Sequence, residues 1–194
     1  MGNKVLVTYA TNSGSTGEVA EAIAKTLGEE DETQADVRHV KEVDDISSYN
    51  AVIVGGPMMM GWHKEAVNFL VKHEQGLSRV PVAYFLTALH LTKTTETSFG
   101  TALLFQDLNL AKAPMDEKKL SFREKQHTVA SYLGPALKKA PLVKPIGAGF
   151  FGGKLDYSKL SFLQKLFVRL IIRAEAGDFR NWEAIREWAE SLKL

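Results

Sequence analysis

The chain has 194 residues, of which 45% are hydrophobic, so it is long enough for one domain with a single packed core. Its 24 Lys and Arg residues nearly balance its 23 Asp and Glu residues, which excludes the broad basic surface that nucleic-acid binding requires. Cysteine is absent, which excludes disulfides, thiolate metal sites and cysteine nucleophiles, so any redox chemistry requires a bound cofactor.

The first half of the sequence alternates apolar strands with amphipathic helices. Apolar runs predict strands at residues 5–10, 35–40, 51–57 and 80–87. Apolar positions at helical spacing predict one helix between the first two strands and another over residues 64–73. Because strands and helices alternate, we expect a parallel sheet with helices on both faces.

The second half departs from this alternation before it resumes. Residues 91–120 show no sustained period, and we interpret them as an insertion in the domain. Ser121 and Glu124 have capping-box spacing, which predicts a helix that ends or kinks near Pro135. Residues 145–151 predict the fifth strand. No repeat or linker divides the chain, so we interpret residues 1–194 as a single domain.

A basic-apolar segment and a last helix close the chain. Residues 159–174 place Lys165, Arg169 and Arg173 along one stripe of a predicted extra helix, opposite apolar side chains. Such a helix could lie on an anionic bilayer, or it could pack on the domain while its cations reach water. The last helix is predicted from about Asp178, with Trp182 on its packing face.

The expected location follows from two absences in the sequence. The N-terminus lacks an apolar signal-peptide core, and no run of about 18 uncharged apolar residues occurs. We therefore expect a cytoplasmic protein, with peripheral contact to the inner face of the membrane through Lys159 to Arg173 as an open possibility.

A polar loop lies between the first strand and the first helix. It consists of Thr11, Asn12, Ser13, Gly14, Ser15 and Thr16. Backbone N–H groups and the helix dipole converge on such a turn, hydroxyls can donate to an anion, and Gly14 permits close approach. The loop has no Lys or Arg and lacks the spacing of a nucleotide-triphosphate loop, which favours a phosphate monoester. An ordinary capped turn is the alternative.

The order Thr-x-Ser-Gly-x-Thr after an N-terminal strand resembles the loop with which flavodoxins hold the phosphate of FMN. The resemblance implies a flavodoxin-like α/β fold, a doubly wound five-stranded parallel sheet in a three-layer α/β/α sandwich. It also implies that two loops, after the third and fourth strands, hold the isoalloxazine ring. In this chain they contain Pro57, Met58, Met59, Met60, Gly61 and Trp62, and then Thr87, Ala88, Leu89 and His90.

Three side chains of these loops are candidates for contact with the flavin ring. Trp62 could stack on the ring, or it could join the three methionines in an apolar contact or partner surface. His63 and His90 could donate to flavin oxygens or protonate a substrate, or they could have surface or helix-start roles.

A second resemblance covers most of the chain. Met60 to His63, Tyr157 to Arg173 and Gly177 to Trp182 resemble the menaquinone-dependent protoporphyrinogen oxidase branch of the flavodoxin superfamily. That branch implies an FMN-dependent oxidoreductase that takes electrons and protons from protoporphyrinogen IX and delivers them to a quinone. The long stretch at 91–120 departs from that branch.

An electron carrier between protein partners is the alternative function. Such carriers are usually acidic around the flavin edge, and a net charge of +1 does not fit that habit. The residues identify no catalytic group, and the five scattered histidines predict no metal site.

Overall fold

The computed structural model describes residues 3–29, 33–58, 61–116, 118–159 and 176–194. The strands are β1 (Asn3–Tyr9), β2 (Thr33–His39), β3 (Ala51–Pro57), β4 (Val82–Ala88), β5 (Leu91–Thr92), β6 (Ser98–Phe99), β7 (Ala102–Gln106), β8 (Ala111–Lys112), β9 (Gly147–Gly152), β10 (Lys154–Leu155) and β11 (Gly177–Asp178). The α-helices are α1 (Ser15–Gly28), α2 (Lys64–Lys72), α3 (Glu74–Leu77), α4 (Phe122–Gln126), α5 (Val129–Lys139) and α6 (Trp182–Ser191).

Within those ranges, seven strands form one sheet in the order β2-β1-β3-β4-β9-β7-β6. The predicted five are β2, β1, β3, β4 and β9, and each pair of neighbours among them is parallel. The doubly wound α/β fold is therefore confirmed. The sheet is wider than those five strands, because β7 adds parallel to β9 and β6 adds antiparallel to β7.

Residues 91–120, which we continue to call the insertion after the prediction above, contain the strands that widen the sheet, and their sequence pattern did not indicate these strands. Strands β5, β6 and β8 have two residues each, too few to show any period. Strand β7 mixes buried Ala102 with Leu103, which is 67% exposed, since successive side chains of a strand point to opposite faces of the sheet. Tertiary pairing, and not local pattern, makes these residues strands.

The core consists of two hydrophobic clusters, one on each face of the sheet. Val52 and Val54 of β3 belong to the cluster that includes α2 and α5, whereas Ile53 belongs to the cluster that includes α1 and α6. Alternate side chains of a strand point to opposite faces, so helices cover both. This two-sided burial explains why β3 and β4 are continuous apolar runs.

The predicted capping box is present, but the helix it begins is short. The Ser121 side chain accepts from the Glu124 backbone N–H, and the Glu124 side chain accepts from the Ser121 backbone N–H. Helix α4 then ends at Gln126, and Thr128 caps a separate helix, α5. The helix end predicted near Pro135 is therefore wrong, whereas the predicted kink stays a prediction. Helix α5 continues past this proline, and burial of its apolar face outweighs the missing N–H.

The last helix begins later than its sequence pattern predicts. Asn181, and not Asp178, precedes the first turn, and the Asn181 side chain accepts from the N–H of Ala184. Trp182 is 37% exposed, so its predicted place on the packing face is wrong. Ile185 and Trp188 are buried and hold the helix on the sheet.

The predicted basic-apolar helix lies outside the described residues, except for Lys159, which ends a 3-10 turn (Tyr157–Lys159). Its helical form and its contact with a membrane stay predictions. Among the helices of the described ranges, none has the length and apolar character needed to cross a bilayer.

The packing of β3 against β4 allows a direct test of the core. A Cβ on Gly55 would overlap the ring of Phe85, which is fully buried and has no room to move. We expect Gly55→Ala to lower the free energy of unfolding by about 1–3 kcal/mol in urea denaturation. Gly28→Ala is the matched control, because a Cβ there meets no atom within 4 Å. Equal midpoints for the two variants would contradict this account.

Candidate functional site

Three loops lie side by side at the carboxyl edge of the sheet. We name them the β1 loop (residues 11–16), the β3 loop (residues 57–63) and the β4 loop (residues 87–90). Because β1, β3 and β4 are parallel neighbours, their carboxyl ends meet at one edge, where ligands of open α/β sheets bind. Met59 and Met60 lie outside the described residues, so their predicted contact with a cofactor stays a prediction.

Hydrogen bonds join the three loops to one another. The Asn12 Oδ1 and His63 Nε2 atoms are 3.1 Å apart, which links the β1 loop to the β3 loop. The hydroxyls of Thr16 and Thr87 are 3.4 Å apart and buried, which links the β1 loop to the β4 loop. The N–H of Met58 donates to the carbonyl of Thr87 at 2.8 Å. The structure thus brings the three predicted loops into one connected site.

The β1 loop presents an open helix N-terminus. Gly14 precedes α1 with a φ of 93°, a left-handed conformation that glycine adopts without strain. Its N–H donates to Thr11 Oγ1 at 2.8 Å, which holds the turn. No side chain caps α1, and a Cβ on Gly14 would meet no atom within 4 Å. The N–H groups of Gly17 and Glu18 already donate to the carbonyl of Gly14, so the amides of Ser15 and Thr16 and the helix dipole are what this turn offers to an anion.

The β3 loop is a tight turn closed by its own backbone. Met58 and Trp62 form a β-bridge, and Gly61, which precedes Trp62, has a φ of 118°. Next to the turn, His63 Nδ1 accepts from the N–H of Glu65 and begins α2, so the predicted helix-start role is confirmed. The neutral ring then carries its hydrogen on Nε2 and donates it to Asn12. Burial lowers the pKa of His63, which favours this neutral form.

Trp62 belongs to the hydrophobic core. Its side chain is only 6% exposed, its ring centroid is 5.0 Å from that of Tyr84, and Gly56 lies against its indole nitrogen. This packing matches the apolar contact that was the alternative to stacking on a ligand. The indole Nε1 is buried without a hydrogen-bond partner among the described residues.

The β4 loop connects the site to a neighbouring cavity. The carbonyl of Ala88 accepts from the N–H of Gly153, and the carbonyl of His90 accepts from the Tyr132 hydroxyl at 2.6 Å. Leu89 and His90 line a cavity of about 770 Å³, which we name the insertion cavity. Residues of the insertion, α4 and β11 form its other walls. His90 is therefore a cavity residue and not a helix-start residue.

Arg180 is a functional candidate that the sequence pattern did not single out. Its side chain is 3% exposed and pairs with Asp178 and Glu18. It also donates to the carbonyl of Ser15 in the β1 loop at 3.3 Å and lines the insertion cavity. The hydrogen bonds from Arg180 lower the pKa of Asp178. This buried cation therefore fixes the β1 loop to the segment before α6.

Comparison with known families identifies the fold family. A sequence model described as a flavodoxin domain matches residues 6–181. The chain belongs to this family. The matched range includes the β1, β3 and β4 loops.

Two curated relatives have a common name. The chain is 25% identical over 203 residues to protoporphyrinogen IX dehydrogenase [quinone] from Leishmania major, covering 97% of this chain and 74% of the relative. It is 22% identical over 200 residues to the protein of the same name from Escherichia coli (strain K12), covering 97% of this chain and 94% of the relative.

Solved structures share the fold at low sequence identity. The rubredoxin oxygen:oxidoreductase of Desulfovibrio gigas aligns with a TM-score of 0.52 at 14% identity, over 97% of this chain and 35% of that one, so this chain spans about a third of it. The NAD(P)H:quinone oxidoreductase of Methanothermobacter marburgensis aligns with a TM-score of 0.50 at 10% identity, over 100% of both chains.

The Asp178–Arg180 pair predicts a particular acid sensitivity. A carboxylate whose pKa is lowered in the folded state contributes stability above its ordinary pKa, and this stability is lost as the pH falls through the lower value. We expect the free energy of unfolding of the wild type to fall below about pH 4. The free energy of unfolding of Asp178→Asn should fall less over the same pH range. Urea denaturation at several pH values measures both. Asp116→Asn, which removes one exposed carboxylate elsewhere, should follow the wild type; identical pH dependence in all three would contradict the prediction.

Proposed function

We propose that the chain binds FMN at the carboxyl edge of the sheet and acts as an oxidoreductase. The observation that most supports this proposal is that hydrogen bonds join the N-terminus of α1 to the β3 loop and to the β4 loop at one edge of the sheet. Family membership supports this use of the edge. Bound FMN would supply hydride and electron transfer, which no side chain of this cysteine-free chain provides.

The proposed contacts follow the three loops. The phosphate would bind Thr11, Asn12, Ser13, Gly14, Ser15 and Thr16. The ring would lie against Pro57, Met58, Met59, Met60, Gly61, Trp62, Thr87, Ala88, Leu89 and His90. Trp62 is only 6% exposed, and its indole nitrogen is buried too, so its contact with the ring would be limited to the small part of the side chain that reaches the surface.

The proposed reaction is the oxidation of protoporphyrinogen IX with a quinone as acceptor. The names of the two curated relatives support it. The insertion cavity supports a small-molecule substrate, because about 770 Å³ is within the usual size of ligand sites and the cavity shares Leu89 and His90 with the proposed ring site. An electron carrier between proteins remains the second candidate, since the same three loops would serve it.

The first test concerns the cofactor. Thr11→Val removes the hydroxyl that holds Gly14 and that could donate to the phosphate. We expect the dissociation constant for FMN to rise at least about tenfold, which is about 1.4 kcal/mol, because hydrogen bonds to charged groups contribute about 1.5–3 kcal/mol. Quenching of flavin fluorescence on titration with protein measures it.

Thr26→Val is the matched control for this test. Its hydroxyl donates only to the carbonyl of Ala22 near the far end of α1, so the same chemical change should leave FMN affinity unaltered. If Thr11→Val binds FMN as tightly as Thr26→Val does, the phosphate does not bind where we place it. If the wild type binds no FMN at all, the proposed function is wrong.

The second test separates the enzyme from the carrier. The FMN-loaded wild type is mixed with protoporphyrinogen IX and menadione without oxygen, and the fluorescence of protoporphyrin IX is followed. An enzyme should turn over many times per bound flavin. A carrier should show no such turnover but should pass electrons from chemically reduced protein to cytochrome c. Turnover no faster than that of free FMN would contradict the enzyme.

A further inference from the structure

Two histidines and a tyrosine form a connected cluster beside the insertion cavity. The Tyr132 hydroxyl donates to the carbonyl of His90 at 2.6 Å and lies 2.8 Å from His127 Nδ1. The rings of His90 and His127 have centroids 5.3 Å apart. Both histidines line the cavity, whereas Tyr132 is buried behind them. The cluster thus places imidazole groups at the wall that the cavity shares with the β4 loop.

The hydrogen bonds of Tyr132 decide which nitrogen of His127 carries the hydrogen. The single O–H hydrogen of Tyr132 goes to the carbonyl of His90, so its oxygen can only accept from His127. His127 must therefore carry its hydrogen on Nδ1. The lone pair of the neutral ring is then on Nε2, the atom that Tyr132 does not hold.

Backbone contacts fix the position of His127. Its carbonyl accepts from the N–H of Thr92 at 2.9 Å, and the Thr92 hydroxyl donates to the carbonyl of Glu124 at 2.8 Å. The Glu124 side chain in turn accepts from the N–H of Met115 in the insertion. Strand β5, the insertion and α4 therefore hold the imidazole in place before any ligand binds, as proton transfer requires.

Charged and titratable groups surround this imidazole from every wall of the cavity. They are His90 of the β4 loop, Lys112 of β8, Arg123 and Glu124 of α4, Tyr132 of α5, and Asp178 and Arg180 at β11. Burial, and then the charges of His90 and Arg123, lower the pKa of His127. This lowered pKa favours the neutral ring, which can accept a proton. His90 Nε2 is buried with no hydrogen-bond partner among the described residues.

From this geometry we propose that the insertion cavity is the substrate site and that His127 Nε2 is the base that takes the substrate's proton. The inference rests on the proposed function, because the electrons must pass to bound flavin. The substrate class is a conjugated molecule with a C–H and an N–H or O–H that are lost together. Bound flavin would take the hydrogen of the C–H bond together with its electron pair, as hydride. The electron pair of the N–H or O–H bond forms the new double bond, and that proton goes to His127.

Tyr132 is a positioning residue in this arrangement. It selects the Nδ1–H form of His127, which leaves Nε2 available to the substrate. In Tyr132→Phe the ring loses this constraint, and we expect a mixture of the two neutral tautomers of His127. Nitrogen NMR of histidine-labelled protein reports the tautomer without cofactor or substrate. A wild-type His127 with its hydrogen on Nε2 would overturn the inference.

The kinetic test uses a single turnover. The FMN-loaded protein is mixed with protoporphyrinogen IX without oxygen or quinone, and loss of the flavin band near about 450 nm gives the rate of reduction. We expect His127→Gln to lower this rate at least about 100-fold. Its affinity for protoporphyrin IX, the oxidised product, should stay within about twofold, because a general base contributes to the rate more than to binding.

The pH dependence separates a base from a structural residue. The wild-type rate should rise with pH as His127 loses its proton and should then level off, whereas His127→Gln should lack this rise. His90→Gln should keep the rise, which distinguishes the two histidines. His73→Gln is the matched control, because His73 follows α2 and packs on Phe69 away from the cavity. The flavin of this variant should be reduced at the wild-type rate.

The outcomes distinguish this inference from the function on which it rests. If protoporphyrinogen IX does not reduce the flavin of the wild type, the proposed reaction is wrong and this inference fails with it. If the wild type is reduced and His127→Gln is reduced equally fast, the reaction stands and only the role of His127 is overturned. If flavin reduction in His127→Gln is slow but keeps the wild-type dependence on pH, the role of His127 as the base is also overturned.

Discussion

The common direction of β1, β3, β4 and β9 is the constraint on which the candidate site depends. Parallel pairing places the carboxyl ends of these strands at one edge, so segments far apart in sequence emerge as neighbours. The hydrogen bonds between His63 and Asn12 and between Thr16 and Thr87 form because parallel pairing brings these loops together. The same geometry directs the N-terminus of α1 toward that edge, where we propose that the phosphate binds.

The insertion changes what this edge can do. Its strands β6 and β7 widen the sheet, and its remaining residues, with α4, form the wall of a cavity beside the β4 loop. An electron carrier needs an exposed cofactor edge, whereas an enzyme needs an enclosed space next to the reacting atoms. The insertion cavity is a partly open space next to the proposed ring site, and we propose that the His127 imidazole on its wall accepts the proton of a substrate. These features support our proposal of an enzyme over that of a carrier.

Buried Arg180 connects these two parts of the molecule. A guanidinium that is 3% exposed is costly to bury unless carboxylates and carbonyls satisfy its donors, and Asp178, Glu18 and the carbonyl of Ser15 do so. The residue thereby joins the β1 loop to the wall of the insertion cavity. Its fork of five donors suits three partners at once, which a lysine could not match.

The sequence by itself determined the strands with continuous apolar runs, the capping box at Ser121 and the polar β1 loop, because each depends on residues close together along the chain. Tertiary structure decided the strands of the insertion, the burial of Trp62 and the positions of Arg180 and His127. Each of these depends on partners many positions away: Leu103 pairs with Gly147, Trp62 packs on Tyr84, and Arg180 donates to Ser15. Periodicity reports which face of an element is apolar, but only the folded chain brings distant polar groups to one cavity.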